Sequence, residues 1–244
     1  MTDKSREQLE FARFLAQIGH EIRTPLNAIK GFGDLLVEEQ VGELNDVQKK
    51  YLLKMTDSAQ KLLLVVNQIL DWAKLESNQI VLDSQPLDLC RIAVEVGNLL
   101  ELRMREKQIT YQVMEVDWAT INGDWSRLRE VLVNLISNSI KFTEPGGTII
   151  VSFSRKDGYL LTHVADDGCG VSEEKLMQLF QPFSKGQDRS GEEKNTGLGL
   201  WICRSIIELH QGHIWAESKQ GKGTVLSFAL PACPAEDTQK GAAQ

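Results

Sequence analysis

The chain lacks any apolar run near the roughly 20 residues that cross a bilayer, and it lacks the basic-then-apolar opening of a secretory leader. No membrane contact is therefore expected of this segment, although a longer parent is left open to attachment. Basic residues are in deficit: 27 Lys and Arg against 34 Asp and Glu give a net charge of −7, with a pI near 5.2. That balance argues against a nucleic-acid surface, which needs a basic stripe, but leaves room for a local basic pocket for phosphate. Cysteine is sparse. Cys90, Cys169, Cys203 and Cys233 stand apart without C-x-x-C spacing, so neither zinc nor a disulfide framework is indicated and the protein reads as reduced and cytoplasmic.

What is there is an ordinary globular composition, 42% hydrophobic and 25% charged over 244 residues, enough for one large domain or two smaller ones. The first unusual stretch surrounds His20. Phe14, Ile18, Ile22 (or Pro25) and Ile29 recur at helical spacing, which predicts one buried face. His20 falls between those positions, toward the rim. Glu21 follows it, Thr24 lies one turn on, and Pro25 must bend the helix or open its hydrogen bonding. A lone rim histidine is ordinarily just solvated; beside a carboxylate and a kink it is also a candidate nucleophile.

The helical pattern covers residues 5 to about 39 and breaks at 40–45, with Gly42 as a stop and Asn45 or Asp46 as the next cap. A second helix is predicted over 46–76. Its stripe is Val47, Tyr51, Met55, Ala59, Leu62, Val66, Ile69 and Ala73, broadened by Leu52, Leu63 and Leu70. The pair forms an antiparallel hairpin with more apolar surface than one seam uses. Pairing with a second copy into a four-helix bundle would bury the rest; packing on the chain's own C-terminal part is the alternative. Near residues 78–86 the periodicity changes to short alternating runs. The expected organisation is a hairpin domain over 1–77, a second domain over 78–231 and a disordered tail over 232–244. In the second domain helices are predicted over 87–106, 124–142 and 198–209, with strands over 109–116, 148–154, 159–165, 213–217 and 224–230. The fold class is thus an α helical hairpin followed by an α+β two-layer sandwich.

Chemistry-bearing residues gather in four stretches of the second domain. Asn134, Asn138 and Lys141 fall on one helical face, offering a neutral oxygen to Mg²⁺ and an ammonium to phosphate. A solvated face is the plain alternative, though Asn is a poor choice for a solvated helix interior. Asp166-Asp167-Gly168-Cys169-Gly170 ends a strand and turns sharply; its first carboxylate can accept from an exocyclic amine, and a simple turn would explain it equally. Asn195-Thr196-Gly197-Leu198-Gly199-Leu200 opens a helix whose N-terminal N–H groups favour phosphate. Gly221-Lys222-Gly223-Thr224 alone is a hairpin turn.

Taken in order, these stretches resemble the catalytic core of two-component sensor histidine kinases over residues 5–231. His20-Glu21-Ile22-Arg23-Thr24-Pro25-Leu26 looks like the H box and residues 134–142 like the N box. Residues 166–170, 197–200 and 221–224 look like the three glycine motifs, and Leu179-Phe180-Gln181-Pro182-Phe183 like the F box. The resemblance implies a dimeric phosphoacceptor hairpin followed by a Bergerat-type ATP-binding sandwich, with ATP and Mg²⁺ as cofactors. It implies His20 as phosphoacceptor through a neutral ring nitrogen, Glu21 as orienting general base and Thr24 as the residue that positions water for dephosphorylating a response regulator. It further implies Asn138 as Mg²⁺ ligand, Lys141 on phosphate and Asp166 on adenine. Gly168 and Gly170 would admit the nucleotide, and Asn134, Phe183, Thr196, Gly197, Leu198, Gly199 and Thr224 would complete its site. A response-regulator receiver domain, a second copy of the chain and an upstream sensor module or sensor protein are the implied partners.

Three positions qualify the resemblance. The hydrolytic relatives of this sandwich carry Glu where Asn134 stands; Asn cannot activate water, which favours transfer over hydrolysis. Asn195 replaces a common first Gly of the second glycine motif, and Asn tolerates left-handed backbone. His210-Gln211-Gly212 replaces a common His-Gly-Gly as a turn change. Cys169, between two glycines, is read as packing rather than as a redox switch. A scaffold or pseudokinase that binds ATP without transfer is the competing function.

Overall fold

A computed structural model of the chain describes residues 3–76, 81–184 and 197–233. It divides into two compact units, Met1–Ile80 and Val81–Gln244.

The first unit is a helical hairpin of α1 (Asp3–Val37) and α2 (Asp46–Glu76). The connection ends in a reciprocal cap: Gln48 N–H donates to Asn45 Oδ1 at 2.9 Å, and Asn45 N–H donates to Gln48 Oε1 at 3.0 Å. Asn45 rather than Asp46 therefore starts α2, in the capping-box manner. On α2 the seam keeps Ala59, Leu63, Val66, Leu70 and Ala73 of the expected stripe, while on α1 it differs. On α1 it runs through buried Gly19, Leu26 and Gly33 at seven-residue spacing, against Ala59, Leu63, Val66, Leu70 and Ala73 of α2. Ile22 and Ile29, expected inside, are 36% and 47% exposed; Leu62 is as open as Ile29, and Val47, Tyr51 and Met55 are more so. The glycines explain the shift: a Cβ at Gly19 would strike the Leu70 side chain and one at Gly33 the Thr56 methyl. Their absence lets the helices close along a line that a count of apolar residues does not reveal. The expected position of Phe14 in this seam lies outside the described side chains.

The second unit is a two-layer sandwich. A five-stranded sheet runs in the order β2-β4-β5-β7-β6, from β2 (Thr110–Val113), β4 (Thr148–Lys156), β5 (Tyr159–Asp166), β6 (His213–Ser218) and β7 (Thr224–Pro231). Only the β2–β4 pairing is parallel. Alternate residues Ile149, Val151, Leu160, Thr162, Val164, Leu226, Phe228 and Leu230 are buried, the period of a sheet covered on one face. The covering layer is α3 (Leu89–Glu106), α4 (Trp125–Phe142) and α6 (Gly199–Leu209). In α4 the buried set Leu128, Val131, Leu132, Leu135, Ile136, Ser139 and Ile140 is one continuous helical stripe. Each fully buried Leu or Ile contributes about 1.5–3 kcal/mol.

Several elements depart from the sequence expectation. Residues 85–88 form β1 (Gln85–Asp88), paired antiparallel with β3 (Thr120–Gly123), so α3 begins at Leu89 with Asp88 as its cap. The strand expected over 109–116 shortens to β2. The apolar stretch near residues 176–183 gives only the short α5 (Glu173–Leu176) followed by turns. The chain stays paired beyond Pro231, because Ala232 bridges Ile121 and Cys233 N–H donates to Thr120 at 3.4 Å. The rest of the expected tail, 234–244, lies outside the described residues.

Candidate functional site

His20 is exposed on α1. Pro25 brings no N–H to the helical ladder, so the Glu21 carbonyl loses its donor one turn below. On the neighbouring carbonyl, that of His20, the Thr24 hydroxyl donates at 3.2 Å. The Glu21 carboxylate accepts from Gln17 Nε2 at 3.2 Å; the expected bond to the His20 ring is not the one made. Buried Leu26 and a 2.9 Å bond from Arg23 to Asn67 on α2 fix this turn to the hairpin. A histidine is thus held at the surface on a rigid helix, with a carboxylate and a hydroxyl on neighbouring positions.

In the sandwich, Asp124 caps α4 by accepting from Arg127 N–H, and its own N–H donates to His210 Nε2 at 3.0 Å. The other ring nitrogen of His210 bonds the Ile206 carbonyl at 2.8 Å. Burial pushes the His210 pKa down, and the two partners fit a neutral ring with its proton on Nδ1. The staple fixes the start of α4 to the end of α6. Along α4, Asn134, Asn138 and Lys141 are half-buried on the flank of the apolar stripe. Beside Asn134 on the same helix, the Val131 carbonyl accepts from the Cys203 thiol of α6 at 3.9 Å, and burial drives the pKa of that thiol upward, a tie that spacing alone does not reveal.

Asp166 ends β5 and is the centre of the site. Its Oδ2 accepts from Ser139 Oγ at 3.0 Å, and its Oδ1 accepts from Gly168 N–H at 3.1 Å and Thr224 N–H at 3.2 Å. Burial raises its pKa against the opposing pull of those three donors, with the Asp167 charge adding to the rise. Ser139, buried next to Asn138, has no motif signal beyond its neighbour and was missed in the sequence. Asp167 turns away and accepts twice from Thr148 N–H, at 2.9 and 3.0 Å.

The glycines serve the chain's own packing. A Cβ at Gly168 would meet the Phe142 carbonyl and, at 3.0 Å, Asp166 Oδ1; Gly170 has φ +66° over the Lys219 carbonyl. Gly197, with φ +73°, lies against the Phe183–Ser184 backbone. Phe183 is itself left-handed at φ 61° and 56% exposed. Leu198 is 1% exposed, so its side chain belongs to the core at the point where α6 begins with Gly199. The Thr224 hydroxyl lies 3.1 Å from Ser218 Oγ; Thr224 acts here through the N–H that holds Asp166. Thr196 lies outside the described residues.

These residues fit a nucleotide. Asp166 Oδ2 keeps a free lone pair for an amine donor. Asn138 offers one hard oxygen, enough for Mg²⁺ if phosphates and water supply the rest. Among the described residues no group of three or more His, Cys, Asp or Glu gathers as a metal cage, and none of the helices is long and apolar enough to cross a membrane.

Comparison with known proteins accords with this geometry. Residues 12–78 match the model of the His Kinase A (phospho-acceptor) domain, and residues 123–234 that of the histidine kinase-, DNA gyrase B- and HSP90-like ATPase. An uncharacterized sensor-like histidine kinase of Rhizobium meliloti is 38% identical over 223 residues, 90% of this chain and 42% of its own length. Full-length ShkA, solved in complex with AMPPNP, has a TM-score of 0.76 at 30% identity, over 91% of this chain and 46% of that one. The catalytic domain of histidine kinase ThkA has a TM-score of 0.53 at 31% identity, over 62% of this chain and 96% of that domain. ThkA in complex with the response regulator protein TrrA has a TM-score of 0.64 at 29% identity, over 94% of this chain and 64% of that one. The chain belongs to the histidine kinase family and carries the catalytic core of a two-component sensor histidine kinase. It spans less than half the length of the Rhizobium relative.

Proposed function

We propose that this core uses Mg-ATP to phosphorylate His20 and passes the phosphoryl group to a response-regulator aspartate, working as a homodimer in the reducing cytoplasm. The observation that carries the reading is the half-buried Asp166 carboxylate, held by Ser139, Gly168 and Thr224 and left with acceptor capacity for one amine. Asp166 reads the base, Lys141 holds phosphate charge and Asn138 holds the metal, which when bound neutralises the phosphates. His20 attacks the γ-phosphorus through a neutral ring nitrogen; the P–O bond to ADP breaks as the N–P bond forms. Glu21, released from Gln17, accepts the other ring N–H and balances the imidazolium charge. Positioning and charge neutralisation supply most of the rate in such transfers, so loss of one metal or phosphate contact costs about 3 kcal/mol, roughly a hundredfold.

The AMPPNP complex of ShkA and the response-regulator complex of ThkA support the choice of nucleotide and of partner class. The exposed apolar residues of both hairpin helices, Phe32 and Tyr51 among them, support the homodimer as the four-helix arrangement that covers them. Thr24 positions water in the reverse reaction, removal of phosphate from the regulator, after leaving the His20 carbonyl. An upstream sensor module or sensor protein supplies the input. The test is phosphotransfer: after loading with Mg-ATP, the wild-type chain should hold a phosphohistidine at His20 by mass spectrometry and lose it to a cognate receiver domain, and Asn138→Ala should load about a hundredfold more slowly. A chain that binds ATP yet loads no histidine would instead be an ATP-responsive scaffold.

A further inference from the structure

We infer that Lys107 is a positioning residue of the nucleotide site, holding the phosphate end of α4 in place and offsetting its negative pole. The inference rests on the ATP-site reading above. Lys107 follows α3 as its C-cap and is half-buried. Its ammonium donates to three carbonyls at the end of α4: Ile140 at 2.8 Å, Lys141 at 3.0 Å and Thr143 at 3.2 Å. Three N–H donors meet three acceptors, the full capacity of the group. The Lys107 carbonyl in turn accepts from Gly146 N–H at 2.9 Å, so one residue ties both α4 and the turn that follows it.

The last carbonyls of a helix have no partner inside it. In α4 Ser139 O takes Thr143 N–H at 2.9 Å and Phe142 O takes Cys169 N–H at 3.2 Å; the Ile140 and Lys141 carbonyls accept from Lys107. These carbonyls carry about half a negative charge at a helix C-terminus. The same turn carries Lys141, assigned to phosphate, and Asn138, assigned to the metal, lies one turn earlier. Without the ammonium, the oxygens would oppose a polyphosphate and the turn bearing Lys141 would loosen. The adenine side is anchored separately, through Ser139 to Asp166 and Phe142 to Cys169. Lys107 should therefore matter to the phosphates and little to the base.

Calorimetric titration of the full chain with Mg-ATP and with adenosine separates the two. Lys107→Met should weaken Mg-ATP binding about tenfold, as expected for losing a charge beside an anionic ligand, and adenosine binding less than about twofold. Lys107→Arg, which keeps the charge on a different geometry, should bind Mg-ATP within about threefold of wild type. Equal loss of both ligands in Lys107→Met, no loss of either, or an Arg variant as weak as the Met variant would overturn the assignment. Should Lys107→Met fail to fold, Lys107→Arg decides alone: near-native binding of both ligands supports it and equal loss of both overturns it. A wild-type chain with no affinity for Mg-ATP would overturn the site reading and this inference with it.

Discussion

Ser139 Oγ lies 3.0 Å from Asp166 Oδ2, joining the last turn of α4 to the end of β5. Ser139 neighbours Asn138, the proposed metal ligand, and Asp166 is the proposed adenine acceptor. One hydrogen bond therefore ties the helical turn beside the proposed metal ligand to the proposed adenine acceptor. Ser139→Ala removes that bond and leaves Asp166 Oδ2 buried with one donor fewer. The expected cost is about 1–3 kcal/mol of stability, measured by urea denaturation, together with weaker nucleotide binding.

The acid side of nucleotide binding should belong to Asp166. Burial raises its pKa, and only the ionised carboxylate accepts without competition from its own proton. Affinity for adenosine should fall as pH drops through the raised value, beginning above the ordinary carboxylate range. The stability effect has the opposite sign: the folded state holds this proton more tightly than the unfolded chain, so Asp166 reduces stability as pH rises across the window from the ordinary to the raised value. Asp166→Asn should remove both dependences. Persistence of the binding transition in that variant, followed by calorimetry from pH 4 to 8, would assign it elsewhere.

His210 should produce a second pH effect, in stability alone. Its pKa is pushed down by burial, while its Nε2 must stay unprotonated to accept Asp124 N–H. The unfolded chain therefore binds the proton more readily. The contribution of the neutral ring is complete above about pH 6.5, the ordinary histidine value, and is lost as pH falls toward the depressed one. His163 is shifted in the same direction by burial, against the raising influence of Glu217. Thermal melts between pH 5 and 7.5 should show a smaller slope in His210→Gln than in the wild type, at a general stability cost of about 1–3 kcal/mol. An unchanged slope would assign the dependence to other groups.

The exposed apolar residues of the hairpin give a direct test of assembly. Phe32 is 68% and Met55 57% exposed within one chain. Sedimentation equilibrium should show a dimer, and Phe32→Asp combined with Met55→Asp should shift it to monomer while the isolated hairpin signal by circular dichroism weakens. A wild-type monomer at tens of micromolar would remove the need for a partner copy.

Much of this molecule was legible because the signals are local. The Asn45 capping box, the Asp124 cap and the apolar stripe of α4 each depend on residues within a few positions of one another. The placement of Asn138 and Lys141 on α4 and of Asp166 at the end of β5 was readable on the same terms. What escaped depends on distance along the chain. The β1–β3 ribbon joins residues 85–88 to 120–123, the Ser139–Asp166 bond spans 27 residues, and Lys107 reaches more than 30 residues to α4. The α1 side of the hairpin seam escaped for another reason: glycines at 19 and 33 mark it by the volume they leave out, which a hydrophobic pattern cannot register. Leu198 and Thr224 show the reverse, motif residues that serve the fold, Leu198 through a buried side chain and Thr224 through the N–H that holds Asp166.

The central claim is that His20 takes the γ-phosphoryl group of ATP. Incubation with Mg²⁺ and γ-labelled ATP, comparing the wild-type chain with His20→Gln, tests it most directly. The account requires label that is acid-labile and alkali-stable in the wild type and absent from the variant, with nucleotide affinity equal in both. Acid-stable label, or label that persists in His20→Gln, would contradict it.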